Sequence, residues 1–244
     1  QQTVWDDYID LAEQYNEPGR FTAIIGYEWT STEDGNNLHR NVLYRDGGEV
    51  ARRMVPYTTA ESFNPEELWK WMEQYETTTG GTVLALAHNG NMSNGIMFPV
   101  ETNPDTGEPL TGDYMKNRIR WEPLYEVTQI KGDGEAHPFL SPDDEFADYE
   151  TWDIGNLDVS QSKTDDMLAG EYAREALKRV KRIVWWVEIF VALSVIGTFL
   201  LGGFGIWNGM MNSVKARTRE IGLKKAMGAT DFDILLQIMS ESMA

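Results

Sequence analysis

The 244-residue sequence contains no cysteine, which excludes disulfide bridges and thiolate metal sites. It has only three histidines, His39, His88 and His137, so imidazole chemistry has few places to sit. No G-x-x-x-x-G-K run occurs, so any ATPase must be a separate chain. The sequence begins at Gln1 with no initiator Met, no basic n-region and no apolar h-region, and it ends at Ala244 inside a helical pattern. No signal peptide is visible, and both ends read as cut.

A further absence is charge: none is carried between Ile189 and Val214. A helix needs about 20 mostly apolar residues to cross a bilayer core. The stretch from Trp185 to Trp207 meets that length, and its tryptophans at both ends suit the two interfacial belts. A buried core helix of a soluble domain is the alternative, although such helices rarely stay apolar on every face for so long. Glu188 lies close enough to the helix end to reach the headgroups.

Charge is unevenly spread around this stretch. From Lys178 onward there are nine Lys/Arg and five Asp/Glu, a net of +4, whereas the first 177 residues hold 12 Lys/Arg and 34 Asp/Glu, a net of −22. The asymmetry predicts two units. The acidic unit is unsuited to nucleic acid, whose phosphates would repel it. Its many aromatics argue for a packed core and against a disordered acidic tail.

Apolar spacing predicts a helix over Val4 to Tyr15, ended by Asn16-Glu-Pro-Gly19, and another over Pro65 to Tyr75 with Asn64 as N-cap. Tyr114 to Trp121 and Gly170 to Arg179 also read as helices. Short apolar runs predict strands at Phe21–Trp29, His39–Tyr44, Thr82–Ala87 and Leu124–Ile130. Strands alternating with helices predict an α/β domain with a mostly parallel sheet.

In such folds ligands gather at strand ends. Glu28 ends one predicted strand, His88 follows another and His39 begins a third. Carboxylate oxygen and imidazole nitrogen are the usual ligands of zinc, manganese or iron in hydrolytic sites. A metal there would acidify water and polarise a phosphoryl or carbonyl oxygen. Taken singly, each histidine is more often a hydrogen-bonded structural residue, and Glu28 could pair with an arginine.

The stretches FTAIIGYEWTS, LHRNVLYR, ALAHNGNMSNGIMFP, WEPLYEVTQIKGDGEAHPFLSPDDEFADYETWD and MLAGEYAREALKR together resemble the DUF3604 family, across residues 1–179. That family is similar to the polymerase-and-histidinol-phosphatase (PHP) superfamily of metal-dependent phosphoesterases. The resemblance implies an incomplete PHP-like distorted (β/α) barrel with Glu28, His39 and His88 as metal ligands, Glu28 bridging and His39 the less certain third. Glu126, Glu135 and His137 fall in the family's signature block without an implied role, and Asp143, Asp144 and Glu145 read as solvated. The superfamily's opening His-x-His and Asp-His, and its closing Asp-x-His, are not in this sequence. The expectation is therefore a hydrolase-type domain that is inactive as it stands.

GGFGIWNGMMNSVKARTREIGLKKAMGATDFDILLQIMSES resembles a second family, the FtsX-like permease domain of MacB-type ABC transporters. Residues 180–244 then form a permease fragment with one transmembrane helix at about 185–207 and a short cytoplasmic helical segment. The resemblance implies a bacterial inner-membrane, single-pass chain in contact with lipid, its C-terminal side cytoplasmic and its N-terminal domain extracytoplasmic. It also implies a separate ABC ATPase subunit touching residues 215–235; plain positive-inside anchoring is the alternative use of that basic run. Charge alone leaves orientation open, since four Lys/Arg precede the helix and five follow it. Three readings compete: a membrane-tethered metallohydrolase, a permease component with no catalysis of its own, and a chimera of two gene fragments meeting near Lys178 to Arg182.

Overall fold

Residues 1–242 are described by a computed structural model, in two units, Gln1–Arg182 and Ile183 onward. In the first unit, helix α1 (Gln2–Tyr15) turns Trp5 and Ile9 into the core, and the Trp5 indole donates to the Ala51 carbonyl at 3.1 Å. That carbonyl closes the short helix α2 (Gly48–Ala51). Helix α3 (Pro65–Thr79) begins as its residues dictate. The Asn64 side chain accepts from the Glu66 amide, Pro65 occupies the first turn, and Gly80 ends the helix in the left-handed region. Leu68, Trp69, Met72 and Tyr75 form its buried stripe. Helix α4 (Gly112–Trp121) is capped by Thr111, which accepts from Tyr114.

The sheet runs β1 (Gly26–Trp29), β2 (Arg40–Tyr44), β3 (Val83–Ala87), β4 (Leu124–Tyr125) in that order. β2 and β3 alternate buried and half-buried residues, so one face packs into the core beside α3. One expectation is corrected here. The sheet is mostly antiparallel: β1 pairs antiparallel with β2, and β2 with β3, leaving β3·β4 as the parallel pair. The link from Trp29 to Arg40 holds ten residues and no α-helix, and a parallel crossover needs about a dozen or more. No closed barrel forms among the described residues.

Three predicted elements are also shorter or broken. Phe21 is taken up in a turn with Glu17, and pairing starts only at Gly26. The run Leu124–Ile130 is split: after β4 the chain turns into a hairpin of β5 (Thr128–Gln129) and β6 (Gly132–Asp133). The helix expected from Gly170 is interrupted. Helix α5 (Asp165–Glu171) ends at Tyr172, which is extended, and α6 (Ala173–Ala216) begins just after it. The break lies where the chain docks: the Ala173 and Arg174 amides donate to the Gly134 and Glu135 carbonyls.

Gly170 is held there by a close backbone approach. A Cβ on it would lie 1.8 Å from the Gly95 carbonyl oxygen, and the Phe98 amide donates to the Gly170 carbonyl at 2.8 Å. Gly170→Ala is therefore expected to destabilise the domain by at least about 2 kcal/mol, measured by urea unfolding; a change under about 0.5 kcal/mol would refute the close approach.

In the second unit, Glu188–Ala216 of α6 is long and apolar enough to cross a membrane. Phe190, Leu193, Phe199, Leu201 and Phe204 on it are exposed, unlike the side chains of a soluble core helix. Helices α7 (Thr218–Ala226) and α8 (Asp231–Ser242) follow. Charged side chains tie them together: Arg217 pairs with Glu220 and Glu241, and Lys224 bonds Glu220 and Gln237.

Candidate metal centre

Strand pairing alone gathers the three expected ligands. In the β1·β2 register Glu28 lies opposite Asn41 and Trp29 opposite Arg40; in β2·β3, Arg40 lies opposite Ala87. His39 just before β2 and His88 just after β3 are therefore neighbours, with ring centroids 5.6 Å apart and planes 77° apart. Glu28 Oε1 is 2.8 Å from His39 Nδ1 and 3.2 Å from His88 Nε2. One ligand atom from each residue lies within 4.8 Å of the other two. Both rings are buried, whereas the Glu28 side chain is 43% exposed. The site therefore opens to solvent on the carboxylate side.

Hydrogen bonding in the cluster is incomplete. Of the His39 ring nitrogens, Nδ1 faces the Glu28 carboxylate at 2.8 Å, and Nε2 has no hydrogen-bond partner among the described residues. Burial pulls the His39 imidazole down to about 4, against the raising effect of Glu28; His88 and Lys131 add to the fall. His39 is thus neutral at pH 7, the form that offers a lone pair. His88 Nδ1 is 3.5 Å from the Asn41 amide nitrogen, and that amide can orient the ring. The Asn37 side chain accepts from the His39 backbone at 2.9 Å.

The other candidates lie elsewhere in the bonding network. Glu126 accepts from Gln129. Glu135 pairs with Arg174, which also pairs with Asp144; Asp144 is therefore an ion-pair partner and not merely a solvated acid. His137 packs against the Tyr172 ring at 5.1 Å.

Sequence reasoning missed a buried pair behind the His88 loop. Lys163 Nζ lies 2.5 Å from Glu171 Oε2 and 2.5 Å from the Asn91 carbonyl, with both side chains almost fully buried. An isolated lysine and a glutamate eight residues on carry no local signal of such burial. Burial pushes the Glu171 carboxyl up to about 7, although the Lys163 ammonium opposes the rise. Because the folded value exceeds the unfolded one of 4.5, the folded state holds the proton more tightly. Its contribution to stability is complete below about pH 4.5 and is lost as pH rises through about 7. Glu171→Gln should flatten that decline, worth about 2–3 kcal/mol, in thermal or urea unfolding from pH 4.5 to 8. Parallel curves for variant and parent would refute this assignment.

Comparison with known proteins separates the two units. A model described as "FtsX-like permease C-terminal" matches residues 192–244. Over 67 residues the chain is 37% identical to the macrolide export ATP-binding/permease protein MacB of Salmonella paratyphi A, covering 28% of this chain and 10% of that protein. The MacB of Escherichia coli K12 is 38% identical over 66 residues, covering 27% and 10%. The chain thus spans about a tenth of the length of these curated relatives. With its exposed apolar helix, the permease-like region marks a membrane protein. No solved structure matches the chain. The model described as "Protein of unknown function (DUF3604)" matches residues 1–181, and by that match the chain belongs to the DUF3604 family.

Proposed function

We propose that the DUF3604 domain binds one divalent transition metal through Glu28, His39 and His88, and that it is a metal-dependent, phosphoester-type hydrolase module of the PHP-like kind tethered to a membrane. The observation that carries this is the convergence of one carboxylate and two buried imidazoles within reach of a single ion. The donor set fits. Ligand atoms around a tetrahedral zinc ion sit ~3.4 Å apart, given bonds of about 2.0–2.2 Å. The Glu28–histidine separations of 2.8 and 3.2 Å are close to that. Two histidines and one glutamate also form a set known in catalytic zinc sites, which keep a position open. When bound, the ion supplies a Lewis acid for a phosphoryl oxygen and acidifies water. Glu28 brings the negative charge, and the β2 and β3 ends hold the rings. The superfamily's His-x-His and Asp-x-His motifs are not in this sequence, so turnover of unactivated esters is not proposed.

The test is to strip the detergent-solubilised full chain with chelator and titrate zinc or manganese by calorimetry. About one ion per chain is expected; no saturable binding overturns the reading. A parallel assay follows metal-dependent release of nitrophenol from an activated aryl phosphate.

The permease match favours a second reading for residues 180–244. We read them as a fragment of a MacB-type permease, with one helix in the bilayer, the α7 side cytoplasmic and the 215–235 segment facing an ABC ATPase. This unit is non-catalytic. The union of the two families in one chain is read as a junction of two gene pieces near Lys178 to Arg182.

A further inference from the structure

An apolar cavity lies at the β4 end of the sheet, on the face away from the metal cluster. By register Glu28, Asn41 and Leu86 share one face of the sheet, and Trp29, Arg40 and Ala87 share the other. Ala87 and its β4 partner Tyr125 stand on the wall of a cavity of about 130 Å³. Helix α4 supplies a second wall through Met115, Arg118 and Ile119, continued by Glu122 at its end, and that spacing keeps the four on one helical face. Phe98 closes a third side. Its ring meets the Tyr125 ring edge-on at 5.1 Å and lies under the Arg118 guanidinium at 4.6 Å. The rim is apolar as well, with Ile119 57% exposed and Leu124 56%.

The polar groups on the wall already have partners. Arg118 donates to Glu122 Oε2 at 3.1 Å and to the Met97 carbonyl at 2.9 Å. Glu122 Oε1 accepts from Arg40 and from the Trp69 indole, and the Tyr125 hydroxyl accepts from the Gly90 amide at 3.0 Å. A charged occupant would lose its hydration and find no opposite charge to spare. Water, which needs two to four polar partners, is poorly served for the same reason. The volume is close to that of apolar cavities of roughly 150 Å³ that stay dry and take up benzene. Two aromatic rings and a guanidinium plane give the cavity flat sides, which suit a flat occupant through offset and edge-to-face contacts.

We propose that this cavity binds a small neutral aromatic molecule, one ring in size, at a site separate from Glu28, His39 and His88. The ring enters between Ile119 and Leu124 and packs against Phe98, Tyr125 and Met115. The site does not depend on the metal reading above, because its walls belong to the Ala87 face of the sheet and to α4.

The experiment titrates fluorobenzene into the detergent-solubilised full chain, chelator-stripped and zinc-loaded in parallel, and follows it by fluorine NMR. Uptake by detergent rises linearly and is common to every variant, whereas the cavity adds a saturable component. The parent should show that component in both forms. Ile119→Trp and Leu124→Trp each place a large ring at the mouth and should weaken binding by about tenfold or more. Both replace exposed side chains, so the core stays packed, and urea unfolding checks that each variant folds. Leu124→Ala should hold binding within about threefold. The anion para-fluorobenzoate, with a similar ring, should bind about tenfold or more weakly. Linear uptake alone in the parent overturns the proposal, as do tryptophan variants that both bind like the parent, or a benzoate that binds as tightly as the neutral ring. Saturable binding seen only with zinc assigns the ring to the metal centre and overturns the separate site. A chain that takes up fluorobenzene but no zinc overturns the metal reading and supports this one.

Discussion

His88→Ala is expected to lower the affinity of the domain for zinc or manganese by at least about 100-fold. The imidazole of His88 is one of only two nitrogens in the cluster, and Glu28 Oε1 lies 3.2 Å from its Nε2. With it gone, His39 and Glu28 remain as a two-residue remnant, and His137 is engaged elsewhere, packed at a tilt against Tyr172. Glu28→Gln is the cleaner companion. The Glu28 side chain is 43% exposed, so its replacement leaves the core intact while removing the only negative charge among the ligands. The readout is twofold. Calorimetry should show loss of saturable binding in both variants. Thermal unfolding of the parent should shift upward with metal, by about 2.7 kcal/mol at a concentration of 100 times Kd, and chelator should reverse that shift. Neither variant should respond. A parent protein whose unfolding ignores metal, or a His88→Ala variant that binds as tightly as the parent, would sink the assignment.

Glu28, His39 and His88 were legible because each flanks a short apolar run, and runs of that kind become strands whose ends meet. What joined them was not legible in detail. The strand ends meet through antiparallel pairing, as the ten-residue link from Trp29 to Arg40 requires. Helix α3 announced itself by local chemistry, Asn64 and Pro65, whereas the Thr111 cap starts α4 two residues ahead of the predicted Tyr114. Local chemistry also misled. Leu124 to Ile130 has the composition of one strand, yet only its first two residues pair with β3; the Gly134 amide bonds the Val127 carbonyl instead and turns the rest into a hairpin. The break at Tyr172 was equally hidden, because it depends on Gly170 meeting Gly95, 75 residues away. The buried Lys163–Glu171 pair is a product of the same tertiary docking. Composition does not report which charges end up facing each other.

The second large effect concerns a buried ion network that sets the start of β2. Glu122 →Leu is expected to cost about 3–5 kcal/mol and to weaken metal binding as well. The Glu122 side chain is 2% exposed and the Arg40 side chain 1%. Arg40 Nε donates to Glu122 Oε1 at 3.0 Å, Arg118 donates to Oε2 at 3.1 Å, and the Trp69 indole donates to Oε1 at 2.9 Å. Burial raises the Glu122 carboxyl, and the two guanidinium groups outweigh it, so the group is held below the usual carboxylate range. Removing this anion leaves Arg40 charged in the core, with only the Leu38 carbonyl accepting from it. Arg118 is less exposed to the loss, because it also donates to the Met97 carbonyl and lies over the Phe98 ring. Arg40 stands between His39 and Asn41, so any shift that frees its guanidinium moves a ligand and the amide beside His88 together. A double variant, Arg40→Met with Glu122→Leu, removes both charges and should recover most of the lost stability, since replacing a buried pair by apolar groups is often near neutral. Urea unfolding of the parent, both single variants and the double variant measures the coupling. If Glu122→Leu alone unfolds with the parent, the network does not hold the core. If the double variant is as unstable as the single one, the loss comes from packing and not from a stranded charge.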